Sequence, residues 1–181
     1  MKFVQEEFSS TLEIKKSKFI AHLCPYNQYK SMLERLKKEH PKARHFVYAY
    51  RFLNEFSQVV ENCSDDGEPK GTSGRPSLKV LNGANIINSA VVIVRYFGGV
   101  KLGTGGLVKA YSDAVNQVCK EAVFKEYQNL IEKTIEVDYC ELSKMEYRLK
   151  ENNIEIVEKK FEKKVTLLLN STEENYILAN L

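Results

Sequence analysis

All nine glycines of this 181-residue chain lie between positions 67 and 106: Gly67, Gly71, Gly74, Gly83, Gly98, Gly99, Gly103, Gly105 and Gly106. Glycine supplies positive φ and close backbone approach, and it weakens a regular element where neither is needed. A chain that confines glycine in this way must fold that stretch around tight turns or near contacts. Five of the nine fall in "GGVKLGTGG" (98–106), directly after "SAVVIVRYF" (89–97), which reads as a buried strand. Beyond them Leu107, Val108, Ala110, Tyr111, Ala114, Val115, Val118, Cys119 and Ala122 form one apolar helical face. Thr104 is the expected N-cap of that helix.

Strand, glycine turn and capped helix make a site for anions, because a helix N-terminus carries unpaired N–H groups and partial positive charge. Gly98, Gly99, Gly103, Thr104, Gly105 and Gly106 can shape a concave nest, with Arg95 and Lys101 adding charge. The spacing is neither GxGxxG nor GxxxxGK[ST], so neither dinucleotide nor Walker-type binding follows. The competing reading is close packing of strand on helix. Upstream, Asp65, Asp66 and Glu68 place three carboxylates within four residues, a set that suits Mg²⁺ or a base with a raised pKa. The plain alternative is a solvated Asp-Gly turn. Thr72 and Ser73 offer hydroxyls, but nothing sets His22, His40 or His45 beside them, so no catalytic residue is assigned. If the two loops fold together, carboxylates face an anion site and a bridging metal ion becomes sensible.

"YNQYKSMLERLKKEH" (26–40) has helical spacing, with Asn27 as N-cap and Pro41 as stop. Residues 9–24 read as two strands about a Lys15–Lys18 turn. "ARHFVYAYRFL" (43–53) alternates as a strand, with 56–63 pairing to it as a hairpin. Its aromatics Phe46, Tyr48, Tyr50 and Phe52 suit a core, or base stacking if exposed. Pro76 fits the first turn of a short helix that Gly83 caps at its end. From 131 the pattern restarts as β-α-β-β-α, with Ser171 and Glu174 as a capping box for the last helix. Lys159, Lys160, Lys163 and Lys164 flank a hairpin turn, a solvated face or a set of phosphate contacts.

A net charge of +3 permits nucleic-acid contact without predicting it. The four dispersed cysteines form no CxxC pair, which argues against zinc and for reduced thiols. "MKFVQEEFSS" is unlike a signal peptide, and "AVVIV" is too short to span a bilayer. A soluble, cytoplasmic protein is expected.

Three blocks, "RHFVYAYR" (44–51), "SDDGEPKGTSGRP" (64–76) and "VVIVRYFGGVKLGTGGLVKAYSDAV" (91–115), with "KKSKFIAHL" near the start, resemble the IMPACT family in its bacterial, two-domain, YigZ-like form. The resemblance implies an α+β protein with two domains. Residues 1–128 would be a two-layer α/β domain like the second domain of a small-subunit ribosomal protein. Residues 131–181 would be a ferredoxin-like domain similar to the last domain of elongation factor G. A ferredoxin-like unit is β-α-β-β-α-β, however, and "NYILANL" shows no sixth element. Eukaryotic relatives are implied to be translation regulators that bind a partner of a stress kinase, with RNA or ribosome binding suggested for bacterial ones. The leading expectation is a translation-associated regulatory or binding protein contacting RNA, ribosome or a translation-factor partner through the glycine-rich surface. Neither DNA specificity nor a membrane is implied. The alternative is a nucleotide- or phosphate-binding, hydrolase-like enzyme with Mg²⁺ on Asp65, Asp66 and Glu68 opposite the nest. The absence of a nucleophile–base pair favours the first.

Overall fold

The computed structural model describes residues 1–181, which divide into Met1–Tyr127 and Gln128–Leu181. In the first unit a short β1 (Lys2–Phe3) pairs with β7 (Lys125–Glu126), tying the unit's two ends together. The main sheet contains β2 (Phe8–Ile14), β3 (Ser17–Pro25), β4 (His45–Leu53), β5 (Val59–Ser64) and β6 (Ser89–Tyr96). All its pairings are antiparallel, in the order β2-β3-β6-β4-β5. Three helices accompany it: α1 (Tyr29–Glu39), α2 (Gly74–Gly83) and α3 (Gly103–Glu121).

The central strand explains the layering. Val91 and Ile93 of β6 join Phe19, Val47, Leu81, Tyr111 and Val115 in one core, beneath α2 and α3. Ala90, Val92 and Val94 join Met32, Leu36 and Phe46 in a second core beneath α1. A continuous apolar run is what a strand buried on both faces requires. The domain therefore has three layers, with helices on both sheet faces, rather than the expected two.

Local chemistry sets the boundaries. Lys15 and Lys16, at φ 47° and 66°, form a two-residue hairpin turn, so Ser17 and Lys18 belong to β3 rather than to the turn. A 3₁₀ turn over Tyr26–Gln28 precedes α1, and Gln28 rather than Asn27 occupies its N-cap without a side-chain bond. Gly83 is the last residue of α2 and not its cap. Asn85, at φ 54°, takes the left-handed position, and Ile86 N–H donates to Leu81 O while Asn85 N–H donates to Asn82 O. The N-cap of α3 is Leu102, with no side-chain cap bond, so Thr104 lies inside the helix.

The second unit comprises β8 (Ile131–Val137), α4 (Leu142–Glu151), β9 (Glu155–Phe161), β10 (Val165–Ser171) and α5 (Glu173–Leu178). Its sheet is antiparallel in the order β8-β10-β9, over a separate core of Val137, Leu149, Val165, Leu167, Leu169 and Tyr176. Thr172, not Ser171, caps α5, accepting from Asn175 N–H at 3.3 Å. Ser171 ends β10 and donates instead to Asn153 O at 3.0 Å. Lys159, Lys160 and Lys164 are held by Glu146, Glu158 and Asp138 respectively. No helix of the chain is long and apolar enough to cross a membrane.

Candidate functional site

The Lys15–Lys16 turn, the 64–73 loop, the start of β4 and the 97–102 loop meet at one end of the main sheet. In register, His45 of β4 faces Arg95 of β6. Arg95 Nη1 donates to Glu68 Oε1 at 2.5 Å, and Tyr111 Oη donates to the same oxygen at 2.8 Å. His45 Nε2 stands 3.9 Å from it, while Nδ1 of the ring lies 2.9 Å from Asp66 O. The Glu68 and Arg95 side chains are only 3% and 7% exposed. Arg95 Nε has no partner, and the guanidinium lies 5.4 Å and 5.8 Å from the Phe19 and Phe97 ring centroids. Burial first, and then the neighbouring carboxylate, push the Tyr111 phenol far above its ordinary value, so it serves as a donor. This buried ion pair and the Tyr111 hydroxyl tie the 64–73 loop to β6 and α3.

Asp65 closes the N-terminus of α2. Its Oδ1 accepts from Ser73 N–H at 3.1 Å, Ser73 Oγ at 2.7 Å and Gly74 N–H at 2.8 Å, and its Oδ2 accepts from Gly71 N–H at 2.7 Å. Burial raises its pKa, but these hydrogen bonds outweigh that and hold the carboxyl below its usual value. Asp66 Oδ2 accepts from Phe46 N–H at 2.6 Å. Asp65, Asp66 and Glu68 are therefore bound to three different parts of the protein. No group of three His, Cys, Asp or Glu residues is arranged to hold a metal ion, so the expected Mg²⁺ cluster does not form. Thr72 and Ser73 are buried, donating to Pro69 O and Asp65, and are not free to meet a ligand. Arg95, expected to flank the anion nest, is likewise consumed by Glu68.

The five downstream glycines separate by task. Gly98 donates its N–H to Ser17 Oγ at 3.2 Å, and a Cβ there would run into the Lys16–Ser17 backbone. It answers to packing. Gly99 and Gly103 have φ of 83° and 74° and turn the chain into α3. Gly106 would bring a Cβ within 3.1 Å of Leu102 Cβ. Gly105 alone has ordinary φ and nothing within 4 Å of an added Cβ. Gly103, Thr104, Gly105 and Lys101 are exposed, as are Phe97 (52%) and Val100 (45%) on the entering loop. Further along α3, a groove of about 440 Å³ runs between α2 and the second and third turns of α3. It is lined by Gly71, Arg75, Pro76, Lys79, Val80, Val108 and Ser112.

With that geometry in place, the family follows from similarity. The Impact N-terminal domain matches residues 15–119, which include every residue of this site. The chain belongs to the IMPACT family. It is 41% identical over 137 residues to the IMPACT family member YigZ of Escherichia coli, covering 74% of this chain and 67% of that one. A crystal structure of a hypothetical protein covers 98% of the chain and 88% of its own, at 32% identity and a TM-score of 0.66. A two-domain translational regulator, Yih1, overlaps 66% of this chain and 46% of its own at 24% identity and a TM-score of 0.39, too little to carry a functional argument.

In this IMPACT family member, sequence reasoning passed over Arg75, Lys79 and the polar role of Tyr111. Signals for the cations were present. Arg75 and Lys79 stand four apart on α2, which has no acidic residue, and neither forms an ion pair. Like charges at that spacing cost a helix a few tenths of a kcal/mol. For Tyr111, its place in an apolar stripe concealed the hydroxyl's partner, which only the fold supplies.

Proposed function

We propose that this IMPACT family member is a translation-associated binding protein that contacts RNA, on the ribosome or free, through the exposed start of α3 and the neighbouring basic groove. One observation carries the reading. The first turn of α3 is open, exposed and uncapped by any side chain, and Gly105 there has no internal contact that requires glycine. Lys101, Arg75 and Lys79 are exposed and supply positive charge, as phosphate contacts need. The family resemblance supplies the link to translation. The enzyme alternative needs Asp65, Asp66 and Glu68 to face this surface, and each is engaged elsewhere.

The test is binding of a short single-stranded RNA and of ribosomal subunits by the full chain across a salt series. Affinity should fall with salt, and Lys101→Gln should reduce the slope of log K against log salt by about 0.7, the contribution of one single-strand phosphate. Salt-independent binding, or an unchanged slope in both Lys101→Gln and Arg75→Gln, would overturn the proposal.

A further inference from the structure

The opposite end of the main sheet holds a second pocket, of about 400 Å³, whose lining includes Phe3, Gln5, Tyr26, Asn27, Gln28 and Phe52. Its volume lies within the roughly 300–1,000 Å³ typical of small-molecule sites. Phe52 lies seven positions along β4 from His45, placing this pocket about 23 Å from the glycine end. The Tyr26 and Phe52 rings are stacked, with centroids 4.0 Å apart and planes 7° from parallel. Tyr50 lies 5.0 Å from Tyr26, and Tyr48 is parallel to Tyr50 at 6.2 Å. On the α1 side of β4, Phe46 is buried while Tyr48, Tyr50 and Phe52 remain half-exposed. The rest of the lining mixes apolar Phe3, Val4, Pro25 and Leu53 with four carboxamides. Gln5, Asn27 and Gln28 are exposed, and Asn88 holds Leu53 N–H with Oδ1 at 2.9 Å.

We propose that this pocket binds the uncharged ring of a nucleobase. In a chain with 28% charged residues, not one charged side chain lines it. An anion finds no cation in that lining, and a charged peptide side chain finds no counter-ion. A purely aliphatic group would strip water from the amides and return no hydrogen bond. A nucleobase meets both surfaces at once, its face on the aromatic wall and its edge donors and acceptors against side-chain amides. The site is separate from the α3 surface, so either can fail without the other.

Titration of the full chain with adenosine, cytidine and uridine, followed by heteronuclear NMR, tests the assignment. Saturable shifts are expected at residues 26–28 and 52–53 and in the Asn27 and Gln28 side-chain amides, with affinity unchanged between low and high salt. Phe52→Ala should weaken binding tenfold or more. Asn27→Ala, at an exposed position that does not threaten folding, should weaken it several-fold, and Lys101→Gln should leave it unchanged. The proposal is overturned by the absence of saturable shifts, by shifts confined to other residues, or by binding that both pocket variants leave intact. An apolar peptide that saturates the pocket where nucleosides do not would also overturn it.

Discussion

Two helices begin at the same end of the main sheet, and their N-termini are treated in opposite ways. At α2 the protein supplies its own anion: Asp65 reaches back from the preceding loop to take the N–H groups of Gly71, Ser73 and Gly74. Gly74 is pressed so close to Ser64 that an added Cβ would lie 2.8 Å from its carbonyl. At α3 no side chain caps the helix, the first turn faces water, and Gly105 has open space around it. Both starts carry N–H groups with no intrahelical partner and the positive end of a helix dipole. The difference separates a structural glycine-rich start from one whose donors remain available. An acidic residue near a glycine turn is thus as readily an internal occupant of the nest as a ligand for metal.

The largest effect is expected from removing the ion pair that ties the 64–73 loop to β6. Glu68→Ala leaves Arg95 buried without its counter-charge and should cost about 3–5 kcal/mol in urea unfolding of the first unit. A loss under about 1 kcal/mol would show that the pair is not what holds the 64–73 loop on the sheet. Next comes the α2 seal. Asp65→Ala should cost about 2–3 kcal/mol through the lost charge-assisted bonds. Because the folded carboxyl lies below its usual value, its contribution is complete above the unfolded pKa near 3.8 and is lost as pH falls through the folded value. The wild type should therefore lose stability below about pH 4 more steeply than Asp65→Ala. Parallel pH profiles would deny Asp65 this role. Smaller effects distinguish the downstream glycines. Gly98→Ala should cost about 1–3 kcal/mol, since its Cβ meets the Lys16–Ser17 backbone. Gly105→Ala should instead stabilise by about 0.5–1 kcal/mol while weakening RNA binding several-fold. Gain of stability with unchanged affinity would return Gly105 to the class of idle glycines.

Local pattern was enough to show the β6 run, the apolar face of α3 and the restart after 130, because each depends on residues close in sequence. The third layer was harder to see. Alternating aromatics in β4 announce a strand, but not that α1 covers Phe46 while Tyr48, Tyr50 and Phe52 stay half-exposed. Caps misled for a related reason: Thr104, Asn27 and Ser171 have the right chemistry, yet the entering backbone places Leu102, Gln28 and Thr172 at those positions. Glycine crowding picked out the stretch that turns the chain into α3, where Gly99 and Gly103 take positive φ. The partners of Glu68, Asp65 and Asp66 come from positions as distant as Arg95, Gly74 and Phe46, beyond any spacing rule.

The donors starting α3 should be open to a ligand, while those starting α2 are held by Asp65. Backbone amide shifts of the full chain, titrated with a short single-stranded RNA and separately with inorganic phosphate, test this difference directly. The Gly103, Thr104, Gly105 and Gly106 amides should move saturably while those of Gly71, Ser73 and Gly74, held by Asp65, stay in place. Movement of the α2 set with a silent α3 start would contradict it.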